Sequence, residues 1–189
     1  ESLVMVPEIA LTAQWLERFE ARFGVRPAEW HSDLSRRERR RVWRAVAEGQ
    51  TKVMVGARSA LFLPFADLGL VVVDEAHEVA FKQDDGVRYN ARDVAVMRAA
   101  FEEIPVVLAS ATPALESLAM VESGTYAKLD LPSRFGGAEL PEIRTINLTE
   151  HVPGRGSWLA PPLVEALEER LARGEQSLLF LNRRGSAGI

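Results

Sequence analysis

Cysteine is absent from all 189 residues, which excludes a disulfide framework and any thiolate metal site. No apolar run approaches the length of a membrane span and Glu1 opens no signal sequence, so the chain reads as a soluble protein of cytoplasmic type. Lysine is nearly missing: all but Lys52, Lys82 and Lys128 of the 23 basic residues are arginine. None of the three follows a glycine, so the Gly-rich loop ending in Lys-Ser/Thr that cradles phosphates is not written in this chain. An excess of positive charge is also lacking. The net charge of −4 excludes a polycationic, sequence-blind nucleic-acid coat. A local arginine-lined groove stays open, because the guanidinium fork suits phosphate. There is no short-period repeat and no low-complexity tract.

What is present is ordinary in bulk: 47% hydrophobic and 26% charged residues, over a length sufficient for one good core or one domain and part of another. Short β-type runs alternate with helical patterns. Strands are predicted at Leu3–Val6, Lys52–Val55, Leu70–Asp74, Val106–Ala109 and Ser177–Leu181. Helices are predicted near Thr12–Phe23, Arg36–Glu48, Ala91–Phe101, Pro113–Ser123 with Thr112 as cap, and Pro161–Arg173. Val- and Leu-rich strands without alternation, separated by amphipathic helices, imply an α/β fold whose parallel sheet is covered on both faces. From Leu131 to Trp158 the pattern dissolves into Pro, Gly and charge, which reads as a connector. The expected organisation is a first domain over 1–130, a connector over 131–158 and the opening of a second α/β unit over 159–189. The chain starts on a strand pattern without Met and closes just after another, as a piece of something longer does.

The most informative stretch is VVVDEAHEVAFKQDDGVRYNARD, Val71–Asp93, in which an apolar strand runs into Asp74, Glu75, Ala76 and His77. In an open parallel sheet, ligands bind beyond the carboxyl ends of the strands. Two acids at such an end suit Mg²⁺, which takes one or two carboxylates and completes its shell with water and phosphate oxygens. The neighbouring glutamate can then orient and deprotonate an attacking water. The competing reading of an isolated Asp-Glu is a helix N-terminus; the whole quartet after an apolar strand favours a nucleotide site. His77 has no second histidine nearby, so zinc does not fit. Arg36–Arg41 looks like a DNA-binding patch, but the helical pattern turns Val42, Trp43 and Val46 inward and the arginines out, which favours a solvated face.

Asp74-Glu75-Ala76-His77 resembles the Walker B element of superfamily 2 helicases, and Ser110-Ala111-Thr112 resembles their motif III. More specifically, six stretches resemble the primosomal replication-restart helicases: Met5–Gln14, His31–Arg39, Gly56–Glu78, Lys82–Val96, Leu108–Leu118 and Leu178–Gly185. The resemblance implies a RecA-like, P-loop NTPase helicase domain, incomplete here, with the start of a second such domain. It implies ATP and Mg²⁺ as cofactors, with Asp74 holding the metal through water and Glu75 activating the hydrolytic water. His77, Ser110 and Thr112 would couple nucleotide state to DNA grip, although Ser-Ala-Thr-Pro by itself is also a helix cap. Gly56, Arg58 and Ser59 match the segment that contacts a single strand's backbone, where a turn between strand and helix is the plainer alternative. Pro7, Glu8 and Gln14 match the preceding DNA-side motif more weakly.

The segment after the DEAH quartet resembles the family's aromatic-rich loop that senses single-stranded DNA. Phe81 and Tyr89 would stack on bases and Lys82, Arg88 and Arg92 meet phosphates, unless the aromatics are tucked into the core. Val87 and Asn90 stand where the family pattern has Trp and His. Asn182, Arg183 and Arg184 would face the inter-domain cleft. The implied partners are single-stranded and forked DNA, ATP, primosome proteins and single-strand-binding proteins, with no membrane. Zinc would be held only outside this chain. The implied parent is an ATP-dependent 3′ to 5′ DNA helicase of replication restart at stalled forks, and this piece, lacking the phosphate loop, would be inactive alone. The alternatives are a catalytically silent DNA-structure-binding scaffold and a repair translocase of the same superfamily.

Overall fold

The computed structural model describes residues 1–7, 12–133 and 141–180. The chain divides into two compact units, Glu1–Leu129 and Asp130–Ile189. The first is built on a five-stranded, wholly parallel sheet: β1 (Ser2–Met5), β2 (Ala28–Trp30), β3 (Val53–Gly56), β4 (Leu70–Val73) and β7 (Val106–Leu108), in the order β2-β3-β1-β4-β7. A two-stranded antiparallel ribbon, β5 (Lys82–Gln83) and β6 (Tyr89–Asn90), stands apart. The helices are α1 (Ala13–Phe23), α2 (Arg36–Ala47), α3 (Ala91–Phe101) and α4 (Leu115–Glu122).

β1 sits between β3 and β4, pairing Met5 with Gly56 and with Val73. A strand hydrogen-bonded on both sides and covered on both faces must be apolar throughout, which is why SLVM and LVVV do not alternate. On one face Leu3, Met5, Met54, Val71 and Val73 pack with Val46 of α2, Ala91 and Ala95 of α3, and Phe81. On the other, Val55 and Val6 pack with Leu16 of α1, flanked by Val4 and Trp15. Each such side chain, fully buried, contributes about 1.5–3 kcal/mol.

The helix ends follow local chemistry. Thr12 caps α1, its hydroxyl accepting from Trp15 N–H at 3.2 Å, and Gly24 closes the helix at φ 69°. Ser35 and Glu38 form a reciprocal capping box at the start of α2. Asn90, standing where the family pattern has His, caps α3 by accepting from Arg92 N–H at 3.0 Å.

Three expectations need correction. Thr112 does not cap the following helix: α4 starts at Leu115 with Ala114 before it and no side-chain cap. Ser110 Oγ instead accepts the Thr112 N–H at 3.1 Å, a local turn that competes with helix entry. Trp43 is not turned inward but 50% exposed, because it lies one residue, and so about 100°, round the helix from Val42. Residues 177–180 form no strand; Leu178 and Phe180 are exposed, and no ladder partner occurs among the described residues of the second unit. Among the described residues of that unit the regular element is α5 (Pro161–Ala172), entered on proline as predicted.

Candidate functional site

Because the sheet is parallel, the turns that leave β1, β3, β4 and β7 emerge at one edge. The DEAH quartet begins as β4 ends. Asp74 N–H donates to Met5 O at 2.9 Å, extending the ladder by one bond, and Asp74 Oδ1 accepts the Glu75 N–H at 3.0 Å. Glu75 is held at φ 50°, a left-handed conformation that costs a non-glycine residue about 1–3 kcal/mol. The turn is fixed on both sides: Ala76 N–H donates to Ala109 O and Glu78 N–H to Glu75 O. Asp74 is half-buried and the Glu75 carboxylate is exposed.

The turn after β7 meets this one. His77 Nδ1 lies 2.8 Å from Ser110 Oγ and 3.6 Å from Glu75 Oε2. Ser110 Oγ also accepts from Thr112 N–H, so one hydroxyl links the two motifs. Asp74, Glu75, His77, Ser110 and Thr112 therefore form one constellation at the carboxyl edge. Among the described residues no three His, Asp or Glu side chains gather as a metal cage. Two adjacent carboxylates fit a hard cation that relies on water and phosphate for most of its shell, and do not fit zinc.

The turn after β3 carries the next group of candidates. Gly56 is buried, and a Cβ there would stand 2.5 Å from Trp30 O and 2.8 Å from Ala60 Cβ. Its lack of a side chain thus serves the close packing of β3 on β2. Ser59 Oγ accepts from Trp30 Nε1 at 3.1 Å. Arg58 Nη1 donates to Lys82 O at 2.7 Å, tying this turn to the loop after the DEAH quartet. Val6, Pro7, Ala57, Arg58, Ala80 and Lys82 line a cavity of about 190 Å³ between them. Gln14 is exposed on α1, while Glu8 lies outside the described residues.

In the loop itself the expected aromatic pair separates. Phe81 is 1% exposed and belongs to the main core, so it offers no ring face to a base; an aromatic that ends a short 3₁₀ turn is drawn into the nearest apolar volume. Arg92 is likewise only 8% exposed, with Nε on Asp93 Oδ1 at 2.8 Å, and is not free to meet phosphate. Tyr89 stays half-buried, edge-on to Phe62 with centroids 5.4 Å apart. Arg88 and Val87 are exposed, and Lys82 is exposed with Asp84 3.3 Å away. Asn182, Arg183 and Arg184 lie outside the described residues.

Two supports were not anticipated. Arg98 of α3 donates to Leu61 O and to Leu63 O, holds Glu102 at 2.8 Å and lies over the Phe65 ring, clamping the 3₁₀ turn Arg58–Phe62 from behind. Nothing in its spacing announces that role. The Ser35–Glu38 box is written as Ser-x-x-Glu and could have been found.

Residues 1–121 match the model of the DEAD/DEAH box helicase family. The chain belongs to that family, and its parallel sheet is a RecA-like helicase core. It is similar to the Replication restart protein PriA: 44% identical over 187 residues to that of Rickettsia felis and 45% over 186 residues to that of Bacillus subtilis. These alignments cover 99% and 98% of this chain but 29% and 23% of those relatives' lengths. The resemblance carried by the six stretches is thereby borne out. Among solved structures, RecG bound to a three-way DNA junction aligns over 71% of this chain and 18% of its own, at TM-score 0.44 and 20% identity.

Proposed function

We propose that the chain is the greater part of a first motor domain, with the opening of a second, in an ATP-dependent DNA helicase of replication restart. The observation that carries the reading is the joining of the DEAH quartet to Ser110 through His77, which ties a nucleotide-type acid pair to the neighbouring strand's turn. Asp74 would hold Mg²⁺ through water, and the bound metal would supply charge neutralisation at the transferred phosphoryl group; Glu75 accepts a proton from the attacking water. The rest falls to this chain: the strained Glu75 backbone presents its carboxylate outward, and His77 stands between that carboxylate and Ser110.

DNA grip is assigned to the turn Gly56–Ser59 and the ribbon loop, with Lys82 and Arg88 on phosphates and Tyr89 as the stacking ring. Phe81 and Arg92 serve as anchors rather than contacts, and Arg58 keeps the two segments in register. By similarity to replication-restart relatives, movement runs 3′ to 5′ on single-stranded or forked DNA in the cytoplasm, with primosome and single-strand-binding proteins as partners. Residues 131–158 act as the connector. The phosphate loop is supplied by sequence outside these residues, so they do not turn over ATP alone. Measurement of ATP hydrolysis by a chain of its relatives' length, with and without single-stranded DNA, tests the reading. DNA-dependent turnover is expected; nucleotide and DNA binding without turnover identifies a silent scaffold instead.

A further inference from the structure

Arg37, Arg40, Arg41 and Arg44 lie on one side of α2, at i, i+3, i+4 and i+7, opposite the inward-facing Val42 and Val46. They line a shallow groove of about 280 Å³. Neighbouring like charges at these spacings destabilise a helix. Yet among the described residues none of the four guanidiniums lies within hydrogen-bond or ion-pair distance of a partner, although Arg41 stands close enough to Glu38 to help hold that carboxyl ionised. Elsewhere in the same unit Arg26, Arg39, Arg58, Arg92 and Arg98 hold carboxylates or carbonyls, while Arg18, Arg22, Arg36 and Arg88 hold none among the described residues, so what sets the α2 group apart is the alignment of four on one face. The nearest acid on the N-terminal side, Glu38, is occupied by the Ser35 N–H and hydroxyl at 2.9 and 2.5 Å. Glu48, which bounds the groove at the other end, accepts from Gln50 at 2.8 Å.

A chain of net charge −4 thus gathers four aligned arginines, none hydrogen-bonded among the described residues, along a rigid face about 10 Å long. We propose that this face of α2 binds the phosphate backbone of duplex DNA, as a surface separate from the carboxyl-edge turns. Single-strand platforms interleave cations with several aromatic rings, whereas α2 carries a single ring, the half-exposed Trp43 three residues on from Arg40, at the flank of the stripe. Backbone contact of this kind is blind to sequence and sensitive to salt. The choice of DNA over another polyanion rests on the motor reading; the aligned guanidiniums do not.

The test measures binding of a short fluorescent blunt duplex by fluorescence anisotropy across a salt series, using the 189-residue chain. Four phosphate contacts give a logarithmic salt slope near −3.6, about a hundredfold loss of affinity between 50 and 200 mM salt. The R37Q/R40Q/R41Q/R44Q variant should lose about 3–4 of that slope, and the fourfold Arg→Lys variant should keep it. A circular dichroism melt no lower than the parent's in either variant, and higher in the Gln variant as the like-charge pairs are removed, separates lost contacts from lost fold. A slope unchanged by the Gln variant overturns the proposal. So does competition by polyglutamate as strong as by unlabelled duplex, which assigns the face to an acidic protein. Loss of slope in a full-length enzyme that shows no DNA-stimulated ATP turnover sustains this surface while the motor reading fails.

Discussion

His77 Nδ1 and Ser110 Oγ, 33 positions apart in sequence, stand 2.8 Å from one another at the ends of adjacent strands. The same hydroxyl accepts the Thr112 N–H, so the DEAH turn and the turn after β7 share one hydrogen-bonding group. Ser110→Ala should leave the fold intact and lower the stimulation of ATP hydrolysis by single-stranded DNA about two- to tenfold. That is the size of one hydrogen bond of about 0.5–1.5 kcal/mol. The ratio of stimulated to basal turnover in the full-length enzyme checks it; an unchanged ratio makes the bond purely structural.

Gly56 is required by its neighbours. A methyl group at this position meets Trp30 O at 2.5 Å, and backbone cannot withdraw as a side-chain tip can. Gly56→Ala should lower stability by about 1–3 kcal/mol through overpacking, read as a fall in melting temperature. Retained stability would return the glycine to a role in ligand approach alone.

Phe81 and Tyr89 should part company under mutation. Phe81→Ala empties core volume and should cost about 3–5 kcal/mol of stability. Tyr89→Ala, at a half-buried site edge-on to Phe62, should cost clearly less stability than Phe81→Ala and weaken single-stranded DNA binding by about 1–3 kcal/mol, one stacked base. Denaturant melts and DNA titrations of both variants separate anchor from platform.

The α2 capping box carries a pH signature. The Ser35 hydroxyl, then the Ser35 backbone N–H, hold the Glu38 carboxyl below its ordinary value of 4.5, with Arg41 and His31 adding to the effect. A lowered folded value means the stabilisation is complete above the ordinary value and disappears as pH falls through the lowered one. The difference in melting temperature between wild type and Glu38→Gln should therefore be widest near neutral pH and close as the solution is acidified below 4.5. A difference independent of pH would contradict the capping role.

Much of the scaffold is readable from residue pattern. The helix predicted at Ala91–Phe101 is found over those residues, and the long strands fall within a residue of their expected limits. β2 was missed because Ala-Glu-Trp is too short to show a period and owes its strand geometry to pairing with β3. Residues 177–180 show the converse: a strand-like sequence is not a strand without a ladder to join. At the candidate site, the place of Asp74, Glu75 and His77 just beyond the end of β4 is legible because the apolar run stops at those residues. The burial of Phe81 and Arg92 was not, since a residue's choice between core and solvent in a short loop depends on the volume that distant helices leave open.

The account turns on Glu75 as the group that activates water. In the full-length enzyme, Glu75→Gln should reduce DNA-stimulated ATP hydrolysis by about 10²–10⁴-fold, the usual contribution of a positioned base, while a fluorescent ATP analogue binds as tightly as to wild type. Turnover within a factor of a few of wild type, with the variant folded and nucleotide bound, would contradict it.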